Sequence, residues 1–229
     1  MYKYMQLSSR YVLDTIGRLE VRIADRFPNS GLRMVCAELF EFAGKSREDI
    51  HWIAKPHLLI RFTIFIAITV ALGAGFYLVN TIKVNTDTPS VADFVQLIEA
   101  LTNEVLLLGA ALFFLISLES RLKRAKALKA LHHLRSLAHV IDMHQLTKDP
   151  TMLDSAKAVT TSPKRELSGF QLKRYLDYCS EMLSLIGKIA ALYSERLPDT
   201  EIVAAASDIE ELCTSMSRKI WQKIADIDN

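Results

Sequence analysis

The stretch FTIFIAITVALGAGFYLVNTI, residues 62–82, is the part of the sequence that decides the fold class. It contains 21 residues and no charged side chain. An α-helix rises about 1.5 Å per residue, so a helix of this length spans about 31 Å, enough to cross the hydrocarbon core of a bilayer. A helix buried in a soluble protein is seldom this long without a charge. We therefore predict a transmembrane helix here.

A second apolar stretch, VLLLGAALFFLISL at residues 105–118, has only 14 residues and is too short to cross a bilayer by itself. Extended back to residue 100 it has 19 residues, and Glu104 is its single charge. The chain has only 8 glycines and 6 prolines among 229 residues, which favours helix throughout. The predicted fold class is all-α: a two-span helical membrane protein with a cytoplasmic helical bundle formed by the N- and C-terminal segments.

The distribution of charge sets the orientation of the two spans. Basic residues precede the first span and directly follow the second: Arg10, Arg18, Arg22, Arg26, Arg33, Lys45, Arg47, Lys55 and Arg61, then Arg121, Lys123, Arg124, Lys126 and Lys129. The connection between the spans has one lysine and is otherwise acidic: Lys83, Asp87, Asp93, Glu99 and Glu104. Because cytoplasmic loops are enriched in Lys and Arg, we predict that both termini are cytoplasmic.

These assignments divide the chain into four parts. Cytoplasmic N-terminal helices (1–57) precede a transmembrane hairpin (58–118) with an extracytoplasmic loop (83–103). A cytoplasmic extension of the second span (119–147) is followed by a loop and a cytoplasmic helical hairpin (148–229). Three helix starts are predicted from capping patterns, at Ser46 with Asp49, at Ser162 and at Thr200.

Small residues recur every four positions in the first span, at Ala67, Ala71 and Gly75. Such a ridge allows two helices to approach closely in lipid. It indicates contact either with the second span of the same chain or with another subunit. Glu104 also has two interpretations: it reaches the lipid head groups at the outer boundary, or it lines the outer mouth of a pore and favours cations.

The stretch LHHLRSLAHVIDMHQLTKDP, residues 131–150, holds four of the six histidines of the chain. The region from residue 118 to residue 146 has no helix breaker, so it should continue the second span as one helix. Apolar residues with alternating spacings of four and three form a seam for another helix, from this chain or from a symmetry mate: Ala127, Leu131, Leu134, Ala138 and Ile141. Histidines flank this seam on both sides.

The histidine stretch is a poor metal site by its spacing. His132 and His139 are seven residues apart, about 10.5 Å along a helix, which is too far to share one ion. His139 and Asp142 could together supply two ligands and are the weak candidates, and no metal is expected. We predict instead that Asp142 pairs with His139 or Arg135 across the helix turns. Because histidine changes charge near neutral pH, His132, His139 and Asp142 are the candidates for a pH-responsive interface.

Several function classes lack their motifs in this chain. No glycine-rich phosphate loop, nucleophile elbow or kinase motif is found, so an enzyme and a cofactor are not expected. Cys36, Cys179 and Cys213 are far apart and form no CxxC pair, so no disulfide framework is predicted. The membrane orientation already explains the basic residues, so no nucleic-acid partner is expected.

The sequence predicts a membrane-anchored, self-associating helical protein with an interaction or regulatory role, a cytoplasmic protein partner and a homo-oligomeric state. The alternative is an oligomeric ion-conducting pore, and a more distant alternative is a metal-dependent membrane enzyme. The layout alone is similar to the two-span, helix-tailed membrane effectors of bacterial defence and stress systems. That resemblance implies the inner (plasma) membrane of a prokaryote.

Overall fold

The computed structural model describes residues 7–56, 58–85, 91–148 and 167–228. Within these ranges the chain forms α-helices and no strand, so the predicted all-α fold class is confirmed. The helices are α1 (Ser9–Arg26), α2 (Gly31–Ala54), α3 (Leu58–Asn85), α4 (Val91–Leu146), α5 (Gly169–Arg196) and α6 (Thr200–Asp228). The predicted helix start at Ser162 lies outside the described residues.

The chain divides into two compact units. The first, which we call the bundle, comprises Met1–Ala54 and Arg124–Asn229, and the second, the apolar unit, comprises Lys55–Lys123. The helix α4 contributes its first part to the apolar unit and its last part to the bundle. The candidate functional residues therefore fall into two separate groups, and each is described within its own unit.

The helices α1 and α2 form because apolar side chains recur at helical spacing on one face of each. The α1 stripe Val12, Ile16, Leu19 and Ile23 is buried, as its periodicity predicts. Between the two helices, the Ser30 hydroxyl accepts a hydrogen bond from the Arg33 backbone N–H at 3.2 Å. This contact satisfies one of the unpaired donors in the first turn of α2.

The predicted helix start at Ser46 is wrong, because α2 runs without interruption from Gly31 to Ala54. Ser46 is buried in the middle of the helix, with 3% of its surface exposed. Asp49 makes a tertiary contact instead, since its Oδ1 lies 2.8 Å from Lys126 Nζ on α4. The spacing of Ser46 and Asp49 therefore resembles a capping motif but lies inside α2. Tertiary packing, and not this motif, determines where α2 begins.

The helices α5 and α6 form an antiparallel hairpin joined by a short turn. Ser168 caps α5 in a capping box, in which its hydroxyl accepts from the Gln171 N–H and its own N–H donates to the Gln171 side chain. At the start of α6, Asp199 Oδ1 accepts from the Glu201 backbone N–H at 3.1 Å. The cap is thus the residue before Thr200, and Thr200 is itself the first helical residue.

The predicted seam on α4 lies in the hydrophobic core of the bundle. Leu131, Leu134, Ala138 and Ile141 are at most 1% exposed, and all four belong to the core that the other bundle helices complete. Removing a fully buried leucine from such a core costs about 2–5 kcal/mol. The seam therefore packs against helices of the same chain, which was one of the two predicted alternatives. Its buried residues offer no surface to a second copy of the chain.

The apolar unit has α3 followed by the first part of α4. Over the residues that the structure describes, one helix, which includes Phe94–Leu146, is long and apolar enough to cross a membrane. The apolar stretch of α3, Phe62–Tyr77, is shorter than a span over the residues whose side chains are described. One apolar candidate span is therefore found where two were predicted, and residues 78, 79, 81 and 82 of the predicted first span are among those whose side chains are not described.

Candidate functional site

The four histidines of residues 131–150 all lie on α4 within the bundle, but on different surfaces. His132 and His139 are exposed, His133 is exposed beside α2, and His144 is half-buried. The buried face of α4 between them is the apolar seam. His132 and His133 line one groove, but the structure does not gather all four histidines into one site.

Asp142 does not pair with His139. Its Oδ1 accepts a hydrogen bond from Gln145 Nε2 at 2.7 Å, and in the described part of the chain no ion pair joins it to His139 or Arg135. Gln145 is almost fully buried, with 1% of its surface exposed. Asp142 thus serves to orient a buried amide.

His133 is the histidine with side-chain partners on another helix. Its ring stacks on Phe42 of α2, with 4.7 Å between ring centroids and 26° between planes. Its Nε2 lies 3.6 Å from Glu38 Oε1, also on α2. Stacking and attraction to the carboxylate act together when the imidazole is protonated, so His133 links α4 to α2.

His144 fills space at the start of α2. A Cβ atom added to Gly31 would lie 2.5 Å from His144 Cε1, closer than any normal contact. Glycine at this position therefore lets the imidazole pack against the backbone. Next to it, Lys223 of α6 donates to the Gln145 carbonyl oxygen at 3.0 Å and fastens α6 to the end of α4.

A groove of about 700 Å³ lies between α2 and α4 beside His133. Charged side chains of both signs line it, which are Glu38, Glu41, Lys45, Asp49, Lys126 and Lys129, together with His132. Three carboxylates and three ammonium groups balance in number, so the groove has no net preference for an anion or a cation. Chemically it is a polar helix–helix boundary with room for water and ions.

No metal centre is found among the residues that the structure describes. Within those ranges no three His, Cys, Asp or Glu side chains come close enough to hold an ion. Of the two weak candidates, Asp142 accepts a hydrogen bond from Gln145.

The cysteines are buried thiols in the bundle core. Cys36, Cys179 and Cys213 are all free, and burial raises the pKa of each from the ordinary value of 9.0 to about 12. Desolvation is the main cause in all three, and at Cys36 the nearby Glu20 carboxylate adds to it. A nucleophilic cysteine requires a thiolate, so these side chains serve packing.

In the apolar unit, the small-residue ridge and Glu104 meet. Ala67, Ala71 and Gly75 are half-buried on α3. A Cβ atom added to Gly75 would lie 3.3 Å from Glu104 Oε2 on α4. Gly75 therefore contacts the second helix of the same chain, and the Glu104 carboxylate lies between the two helices.

Two contacts on α4 were not predicted from the sequence. Lys126 Nζ lies 4.4 Å from the ring centroid of Trp52, in addition to its ion pair with Asp49. The guanidinium of Arg124 contacts the α5–α6 turn through Asp199 and Glu201. The only sign of these two contacts in the sequence was the run of basic residues after the second span. That run had already been attributed to the orientation of the spans in the membrane.

A comparison of the chain with known protein families, curated proteins and solved structures finds no match.

Proposed function

We propose that this chain is a membrane-anchored, self-associating helical protein that acts through its bundle as an interaction or regulatory module. The anchor consists of two spans, α3 and the first part of α4. Both termini lie in the cytoplasm, and the membrane is the inner (plasma) membrane of a prokaryote. The bundle binds a cytoplasmic protein partner.

The apolar surface of α4 is the observation that carries this proposal. Val105, Leu106, Leu107 and Phe113 are each 70–74% exposed in the chain by itself. On α3, Phe65, Leu72 and Phe76 are 66–72% exposed. Soluble monomers rarely expose contiguous apolar patches larger than a few hundred Å². A bilayer would cover this surface, and its interior requires the backbone hydrogen bonds to be satisfied within helices.

Glycines on the outside of the apolar unit support self-association. A Cβ atom added to Gly73 of α3 or to Gly109 of α4 would meet no atom within 4 Å. These two positions therefore have room for a helix of another subunit to approach closely, which is how helices associate in lipid. The ridge at Gly75 faces the partner helix of the same chain and is not needed for this contact.

Membrane integration is tested by alkaline carbonate extraction of membranes from expressing cells. We expect the full chain to stay in the membrane pellet, because two apolar helices hold it there. In a second variant, four of the leucine and phenylalanine residues between positions 105 and 114 are replaced by serine, which leaves a single span. This variant should be extracted more readily. Release of the unmodified chain into the supernatant would overturn the proposed anchor.

Self-association is tested by mass measurement of the purified chain in detergent. We expect an oligomer, and Gly73→Leu with Gly109→Leu should shift it toward the monomer because the added side chains project into open space. Gly75→Leu is the matched comparison: it should displace Glu104 within one chain and lower stability. A wild-type chain that is monomeric at micromolar concentration would contradict self-association.

The rival pore is tested on the same protein reconstituted in planar bilayers. We expect no steady conductance, because the Glu104 carboxylate lies against Gly75 between two helices of one chain. Ion currents that Glu104→Gln abolishes would favour the pore instead.

A further inference from the structure

A pocket of about 800 Å³ opens at one end of the bundle. The first turn of α1, the second half of α2 and the end of α5 surround it. This volume is within the usual range for small-molecule sites. These residues belong neither to the proposed anchor nor to the groove beside His133.

The polar rim of the pocket is mainly cationic. Arg47, His51 and Arg196 line it, and all three are exposed. No ion pair to any of the three occurs in the described part of the chain. Glu48 also lines the pocket, so two arginines face one carboxylate. A guanidinium without a carboxylate partner has its N–H groups available for bidentate binding of a phosphate.

The pocket wall is apolar. Ile50 and Leu192 belong to the hydrophobic core and are 6% and 3% exposed, and Leu7 and Leu13 lie beside them. Gly44 lines the same wall, and a Cβ atom added there would meet no atom within 4 Å. The wall is therefore open next to Gly44, and an alkyl chain could lie against these side chains.

The pocket is also adjacent, along the chain, to the proposed anchor. Ala54 lines it and is the last residue of the bundle before the apolar unit begins at Lys55. A phosphate-binding rim beside an apolar wall fits an amphiphile whose head group is anionic. Inorganic phosphate would use the rim alone, whereas a phospholipid would use both parts.

We infer that this pocket binds an anionic phospholipid, with Arg47 and Arg196 at the phosphate and the wall around Ile50 and Leu192 against the acyl chain. The inference rests on the proposed membrane anchorage, which supplies the lipid. Binding would fix the bundle to lipid at a second point besides the spans and make its position depend on lipid charge.

The test uses the full chain in a non-ionic detergent and calorimetric titration with dihexanoyl phosphatidylglycerol. The same titration is run with dihexanoyl phosphatidylcholine and with inorganic phosphate. We expect the anionic lipid to bind at least tenfold more tightly than either comparison. Equal binding of inorganic phosphate would show a free-phosphate site, and equal binding of the choline lipid an apolar cleft; each result overturns the inference.

Variants localise the binding. Arg47→Gln with Arg196→Gln should weaken binding of the anionic lipid at least tenfold, and Gly44→Leu should weaken it by filling the open wall. Arg18→Gln with Arg218→Gln removes the same charge from exposed positions outside the pocket and should change affinity less than twofold. An equal loss in both double variants would mean non-specific charge attraction and would overturn the inference.

Two further measurements separate the possible causes of a loss. Thermal unfolding of each variant shows whether it is folded. The Gly44→Leu variant has space for its side chain and should fold. If a folded pocket variant keeps full affinity for the anionic lipid, that result contradicts the inference. Carbonate extraction tests the anchor independently. A chain that stays in the membrane but binds no short-chain lipid contradicts this site alone and leaves the proposed function intact.

Discussion

Arg124 Nη2 lies 2.6 Å from Asp199 Oδ2, and this contact joins the first bundle residue of α4 to the turn between α5 and α6. The same guanidinium reaches Glu201 Oε1 at 3.2 Å. Two residues later, Lys126 Nζ lies 2.8 Å from Asp49 Oδ1 of α2. Successive basic residues thus hold the start of this helical segment from two sides of the bundle.

Asp199→Ala should lower the free energy of unfolding by about 1–2 kcal/mol. It removes the ion pair with Arg124, worth about 0–1 kcal/mol for a partly exposed pair, and the cap of α6, worth about 0.5–2 kcal/mol. Urea denaturation measures the difference. Asp208→Ala, also on α6 but exposed, is the control and should stay within about 0.5 kcal/mol of wild type. Equal effects in both variants would contradict the role of the contact.

His133→Ala should destabilise the bundle more than His139→Ala. The stacked ring contact with Phe42 contributes about 0.5–1.5 kcal/mol beyond its buried area, whereas the exposed His139 has no partner among the described residues. The two variants make the same chemical change on one helix, so their denaturation midpoints can be compared directly. If His139→Ala is the more harmful, the assignment of His133 as the helix-linking histidine is wrong.

Gly44→Ala and Gly31→Ala should have opposite effects on thermal stability. Gly44 is inside α2 with open space around its Cβ position, so alanine should add about 0.5–1 kcal/mol. Alanine at position 31 would collide with the His144 ring and should lower stability. The double variant with His144→Ala should recover part of that loss. Differential scanning calorimetry measures all three, and a stabilising Gly31→Ala would contradict the packing.

The bundle should lose stability as the pH rises above 9. Burial raises the pKa of each cysteine to about 12, so the folded chain keeps protons that the unfolded chain releases above 9.0. Stability from these groups is complete below pH 9 and is lost toward pH 12, at up to about 1.4 kcal/mol per pH unit for each thiol.

Urea midpoints at pH 8, 9, 10 and 10.5 measure this loss. Cys179→Ala should make the decline with pH shallower than in wild type, even though the cavity lowers stability at every pH. Identical slopes for the variant and wild type would show that this thiol does not contribute.

Topology can be tested by cysteine labelling with a membrane-impermeant reagent in whole cells. A cysteine at Thr88 should react from outside, since the acidic connection is predicted to be extracytoplasmic. Cys179 cannot serve as the cytoplasmic control, because it is buried and protonated wherever it lies. Ser215→Cys on the exposed side of α6 is suitable and should react only in permeabilised cells. Labelling of position 215 in intact cells would reverse the orientation.

Periodicity alone identified which side chains are buried. The α1 stripe and the α4 seam both lie in the core, because a residue's place on a helix face follows from its position in the sequence. The long helix from the second apolar stretch to residue 146 was also predicted, since no glycine or proline interrupts it after Gly109. These features depend on one segment at a time.

Contacts between helices were not determined this way. The sequence paired Asp142 with His139 or Arg135, but in the structure Asp142 accepts from Gln145 and His133 stacks on Phe42. It also suggested a helix start at Ser46, which tertiary packing buries inside α2. The sequence by itself decided helix, face and apolar length, because these follow from local geometry. Only the tertiary structure decided partners, because the rotation and register of each helix depend on the simultaneous packing of all the others.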